Sequence, residues 1–140
     1  MDLWMHRYIT IGAHKCLIIV HCRDRKSGFS GHFLKSGFII HQEVSNEQGK
    51  RGIVGIGRLI MDPDFRDGEF AVVVHDDYQG KGLGYKLIDM LIGIAQERGL
   101  SMIHGDVLSE NRKMLPVASE LGFAVKPLAG GISRVELQLR

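Results

Sequence analysis

A mixed α/β (α+β) domain, with a mostly antiparallel sheet flanked by helices, is the fold this sequence predicts, on three observations. Short apolar, β-branched runs fill residues 38–61 and the C-terminal end of the chain. Only residues 69–108 read as strand, glycine loop, helix and strand in succession. The chain then offers a helix and two short strands rather than a second crossover. One crossover is too few for a doubly wound sheet.

Taken in order, residues 1–37 are the least legible. KCLIIVHCRD (residues 15–24) has strand-like β-branched content, and SGFSGHFLKSG (residues 27–37) reads as a loop with a short helix. FIIHQEVS and GIVGIGRLIM, separated by the turn NEQGK, predict a hairpin. Pro63 within DPDFRDG marks the next turn. EFAVVVH (residues 69–75) is a compact apolar strand, and Leu87, Met90, Leu91, Ile94 and Ala95 recur at helical spacing over residues 84–98, up to a capping Gly99. SMIHGDVL (residues 101–108) follows as a strand. Residues 111–121 read as a helix in which Pro116 sits in an early turn, where its missing N–H matters least, and Gly122 ends it. FAVKP and ISRVELQL close the chain as strands.

With 140 residues, 44% of them hydrophobic and 24% charged, the chain is expected to form a single domain over residues 1–140 around one core. Its 18 basic and 16 acidic residues are scattered, so neither nucleic acid nor an anionic membrane is an expected partner. The apolar run at residues 16–20 falls far short of the roughly 20 residues that span a bilayer, and no small-residue cleavage site follows it. A cytoplasmic location is expected. Cys16 and Cys22 lie on one expected strand, roughly 20 Å apart at the rise of an extended chain, too far to bridge. Neither cysteine spacing nor the seven histidines matches a ligand pattern such as HExxH, so no metal site is expected. Apolar segments such as CLIIV, left without an evident lobe over them, make a homodimer an expectation.

The chemistry concentrates in YQGKGLGY, residues 78–85. Glycine loops ahead of helices hold phosphates. A Walker loop needs GxxxxGK followed by Ser or Thr, and Lys81 between Gly80 and Gly82 has no such hydroxyl. The dinucleotide fingerprint GxGxxG fits Gly80 and Gly82 but meets Tyr85 where close packing wants Gly or Ala; HDDYQ also separates strand from loop, where that motif turns at once.

Read as Gln79, Gly82 and Gly84, the loop is a QxxGxG, and here the sequence resembles the GNAT superfamily of acyl-CoA-dependent N-acetyltransferases. Backbone N–H groups unobstructed at Gly80, Gly82 and Gly84 can wrap a pyrophosphate while the helix N-terminus supplies positive potential. EFAVVV before the loop, and Asn111, Met114 and Leu121-Gly122-Phe123 after it, extend the resemblance. Over residues 52–126, GRLIMDPDFRDGEFAVVVHDDYQGKGLG, GDVLSENRKML and LGF look like the acetyltransferase domain of the Pat-type protein lysine acetyltransferases. Residues 1–37 do not match the two substrate-side helices expected there.

The resemblance implies a GNAT-like mixed, mostly antiparallel sheet and acetyl-CoA (coenzyme A) as cosubstrate. The acyl group passes directly to an amine in a ternary complex, with a protein lysine as the favoured acceptor and a small-molecule amine as the alternative. Residues expected to bind the cosubstrate are Gln79, Gly80, Lys81, Gly82, Leu83 and Gly84 of the loop, Val72, Val73 and Val74 through their backbone, their side chains being core, and Asn111, whose amide is equally suited to capping a helix. A lysine amine of pKa about 10.4 is neutral in only roughly one molecule in 2,500 at pH 7, so a base is required. Glu69, at the start of the strand leading to the loop, is the expected catalytic base. The tyrosine general acid of many superfamily members falls at Ala118. His75 and His104, near strand ends beside the expected cleft, are alternative proton carriers, and a non-catalytic acyl-CoA-binding regulatory domain is the rival reading that the missing tyrosine raises.

Overall fold

A computed structural model describes residues 2–11, 14–23, 37–45, 48–62, 64, 66–80 and 82–140. Among the described residues, eight strands form one sheet in the order β1-β2-β3-β4-β5-β6-β8-β7. β1 (Asp2–Ile11), β2 (His14–Arg23), β3 (Gly37–Ser45), β4 (Arg51–Met61) and β5 (Asp67–Val74) follow one another as antiparallel neighbours. The chain then crosses over through α1 (Leu83–Glu97), and β6 (Met102–Leu108) returns parallel to β5. After α2 (Met114–Glu120), β7 (Ala124–Pro127) and β8 (Ile132–Gln138) form the terminal hairpin, which joins the sheet by its second strand, β8, against β6. The expected hairpins and single crossover are therefore present. β1 is an additional strand that the sequence reading lacked, Cys16 and Cys22 both fall on β2, and the loop and short helix expected at residues 27–37 lie outside the described residues apart from Gly37, which opens β3.

The core lies on one face of the sheet. Strand alternation sends Phe38, Ile40, Leu59, Met61, Phe70, Ile103 and Val135 to that face. α1 lays its stripe of Leu87, Ile88, Leu91, Ile94 and Ala95 on them, and α2 adds Ala118. The helix comes down closely because Gly57 carries no side chain: a Cβ there would already touch Leu87 and Leu91 at 3.4 Å. At the C-terminus of α1, Gly99 N–H reaches Gln96 O at 3.1 Å and Leu100 N–H reaches Ala95 O at 3.0 Å, closing the helix at the glycine expected to cap it. Gly122 and Phe123 close α2 in the same way, onto Ser119 and Ala118.

One core position breaks the apolar pattern. Gln42, on β3 beside the register shift between Gln42 and Glu43, is fully buried, and neither amide atom has a hydrogen-bond partner among the described residues. A buried, unsatisfied polar group costs about 1–3 kcal/mol. Gln42→Met, which keeps the volume and removes the amide, is expected to raise the melting temperature by several degrees, as about 1 kcal/mol or more does in a domain of this size. A melting temperature that falls would show that the amide has a partner in solution.

Candidate functional site

Among the described residues, β5 and β6 form the one parallel pairing and the shortest ladder of the sheet. β5 and β6 pair at Asp67↔Met102, Gly68↔Ile103 and Glu69↔His104, and there the ladder stops. Beyond Glu69 the strands diverge, so alternate N–H and C=O groups of residues 70–74 face the opening without ladder partners. The vertex of the divergence is a close approach: a Cβ at Gly105 would lie 2.9 Å from the Phe70 ring and 2.9 Å from the Phe70 carbonyl oxygen.

Two chambers occupy the opening. The inner one, about 230 Å³, lies between Phe70, Ala71 and Val72 of β5 and Asp106, Val107 and Leu108 of β6. The outer one, about 350 Å³, runs from Val72–Val74 past Asp76, Tyr78, Gln79 and Gly80 to the start of α1 at Gly82, Leu83, Gly84 and Tyr85. Asn111 and Met114 line both, so the chambers are one groove running from the glycine loop to the strand vertex.

Local geometry shapes each wall. His75 closes β5: its N–H donates to Val54 O at 2.8 Å, while its Nδ1 accepts from Asp77 N–H at 3.2 Å and starts the 3₁₀ turn Asp76–Tyr78. His75 thus caps the turn through its Nδ1. Gln79 turns its side chain inward, its Nε2 donating to Val74 O at 3.2 Å and Asp76 Oδ1 at 3.1 Å. That amide braces the loop and occupies the Val74 carbonyl, while the Gln79 backbone N–H closes the turn on Asp76 O at 3.3 Å. Gly80 and Gly82 follow with φ of 75° and 83°, and Gly82 is the N-cap of α1. The left-handed backbone turns the first N–H groups of a 15-residue helix toward the outer chamber, where an anion is favoured. Leu83 is 2% exposed, so it meets the groove at a buried side chain and a helical N–H. Lys81 lies outside the described residues.

On the other wall, Asn111 Oδ1 accepts from Met114 N–H at 3.0 Å and Asn111 O from Leu115 N–H at 3.3 Å, which makes Asn111 the working cap of α2. Its amide nitrogen is left to the groove. The structure also brings in Lys113, which the sequence reading lacked: it lines the outer chamber and donates to Gln79 Oε1 at 3.4 Å, placing a cation beside the loop. α2 faces the groove with Met114 and Val117, while Ala118, at the expected tyrosine position, is fully buried in the core. The expectation that the side chains of Val72–Val74 are all core needs correction. Val72 and Val74 are partly buried against the core, but Val73, alternating to the opposite face, is 68% exposed.

Glu69 lines neither chamber. It is exposed on the face away from α1, between buried Gly68 and Phe70, and stands at the vertex beside His104. Arg58, exposed on β4, pairs in register with Ala71, one step further along that face. Among the described residues no group of three or more His, Cys, Asp or Glu is placed to hold a metal, and no helix is long and apolar enough to cross a membrane.

Known proteins are similar to this chain in sequence and in fold. The chain is 42% identical over 57 residues to the L-amino acid N-acyltransferase MnaT of Escherichia coli, a stretch covering 41% of this chain and 33% of that protein. It is similar to yncA of Salmonella typhimurium, assigned as an acetyltransferase and solved with its cofactor acetyl-CoA, at 25% identity and a TM-score of 0.60, covering 74% of this chain and 65% of that one. The GNAT domain of the Streptomyces lividans (S. lividans) PAT shares the fold at 24% identity and a TM-score of 0.58, covering 72% and 61%. The chain thus spans a third to two fifths of the length of the curated relatives it matches. The family model for the acetyltransferase (GNAT) family matches residues 20–123, which run from within β2 through the groove to the residue that closes α2, and the chain belongs to that family.

Proposed function

We propose that this protein transfers an acetyl group from acetyl-CoA to the primary amine of a small molecule. The observation that carries the reading is the continuous groove from an anion-binding helix N-terminus to a strand vertex, with a free carboxylate, Glu69, beyond its inner end. A pyrophosphate fits the N–H groups of Gly80, Gly82, Leu83, Gly84 and Tyr85 with Lys113 nearby, and a pantetheine arm fits the unpaired backbone of β5 opposite Asn111 and Met114. The thioester carbonyl would then meet a β5 N–H near the vertex, a donor that would polarise it. Glu69 receives a proton of the incoming ammonium, and the amine nitrogen bonds to the acyl carbon as the thiolate leaves. Thiols have pKa values near 8.5, so the thiolate leaves without a tyrosine at Ala118.

A small-molecule acceptor is favoured over the protein lysine of the Pat-type resemblance. The likeness to the PAT domain, at 24% identity, concerns the fold, whereas the curated relative with 42% local identity is an L-amino acid N-acyltransferase. Exposed Arg58 and Glu69 on neighbouring strands also offer opposite charges to an acceptor that carries both an ammonium and a carboxylate.

The test is calorimetry with acetyl-CoA, coenzyme A and NAD, then thiol release with amino acids, polyamines and lysine peptides. Binding of coenzyme A and release with amino acids are expected. Glu69→Gln should keep coenzyme A affinity and lower kcat about a hundredfold, as loss of a general base does. Binding of NAD alone would sink the reading, fastest release with lysine peptides would restore the protein acceptor, and tight coenzyme A binding with no release would leave a regulatory domain.

A further inference from the structure

We propose that His104 is a positioning residue for Glu69, accepting through a water the proton that Glu69 takes from the amine and passing it to solvent. This rests on the acyl-transfer reading above. The register sets Ile60, Glu69, His104, Glu136 and Ala124 side by side across five strands. His104 lies between buried Ile103 and buried Gly105, as Glu69 lies between Gly68 and Phe70, so both project from the face opposite α1. Parallel neighbours stand about 4.8 Å apart, which brings an imidazole and a carboxylate within one water of each other.

The surrounding charges single out this pair. On the β8 side of His104, Glu136 is held by Lys126 of β7 at 2.7 Å; the Lys126 hydrogen bond, then the charges of Lys126, Arg134 and His104, keep that carboxyl below its usual range. Asp106, two residues along β6, is held by Arg134 at 3.2 Å. From β5, Asp67 lies two pairs back from Glu69 on the same face, and Arg58 of β4 pairs with Ala71, two residues beyond Glu69. Among the described residues Glu69 is the carboxylate beside His104 that no cation holds.

Chemistry gives the pair its use. An imidazole is a stronger base than a carboxylate, so a proton that a carboxylate takes from an ammonium passes on to an imidazole downhill. An ammonium acceptor loses two protons as its N–C bond forms and the thioester C–S bond breaks. One ends on the departing thiolate, and the other leaves by Glu69 and His104.

The first test needs no turnover. The His104 imidazole, followed by NMR in the wild type and in Glu69→Gln, should titrate at lower pH in the variant by a few tenths of a unit or more, because a neighbouring carboxylate stabilises imidazolium. Superimposable curves would overturn the coupling. With acetyl-CoA and the best acceptor, His104→Gln and His104→Asn should lose about tenfold in kcat/KM at pH 7 and displace the acid limb of its pH profile, with coenzyme A affinity unchanged. A wild-type profile in both variants would overturn the relay. If the wild type releases no thiol with any amine, the acyl-transfer reading fails on its own, and the NMR titration still decides whether Glu69 and His104 are coupled.

Discussion

Gly105→Val is expected to destabilise the protein by about 2–3 kcal/mol and to reduce acyl transfer more than coenzyme A binding. An added Cβ there would stand 2.9 Å from two atoms of the Phe70 ring and 2.9 Å from the Phe70 carbonyl oxygen. The ring cannot yield cheaply, because it is buried and packs on Phe123 with centroids 5.3 Å apart. The carbonyl moves only with β5. Relief therefore comes from parting the strands at their vertex, just past the last paired residues, Glu69 and His104. Loop and helix N-terminus lie at the groove's far end and keep their geometry, so cofactor affinity should fall less than kcat. Urea unfolding with paired kinetics checks both, and Gly105→Ala should show the same signs with smaller size. An unchanged urea midpoint in Gly105→Val would mean that the strands already stand further apart than this vertex requires.

How much of the site was legible follows from how local each feature is. The register of Gln79, Gly82 and Gly84 is contained in six residues, and so was readable, as was the stripe of α1 at its own period. Lys113 was not, because it reaches Gln79 across 34 residues and only the packing of α2 beside the loop brings it there. The adjacency of Glu69 and His104 depends on the parallel return of β6 after α1, a pairing that no hairpin turn specifies. Runs of like residues hide their own orientation: Val72, Val73 and Val74 carry no alternation, and the exposure of Val73 emerges only from the register with Ile56. β1 was missed for a similar reason, since in DLWMHRYITI three consecutive apolar residues, Leu3, Trp4 and Met5, follow Asp2 and no period of two emerges.

Gly82→Val is expected to weaken coenzyme A binding by tenfold or more while leaving the fold largely intact. Gly82 has φ of 83° and a Cβ there would meet nothing within 4 Å, so the penalty is conformational, with no clash. A β-branched residue forced into the left-handed region is strained by about 1–3 kcal/mol. The chain can escape by leaving that region, which unwinds the first turn of α1 and turns the N–H groups after Gly82 away from the outer chamber. Lys86 N–H, which closes that turn on Gly82 O at 3.1 Å, would lose its partner. Gly93 supplies the control: it also faces open space, but lies inside α1 with ordinary backbone. Gly93→Ala should therefore stabilise by about 0.5–1 kcal/mol and leave affinity untouched. Calorimetry with coenzyme A and thermal unfolding of both variants separate the two effects. If Gly82→Val bound coenzyme A as tightly as the wild type, the pyrophosphate would have to lie elsewhere than at the start of α1.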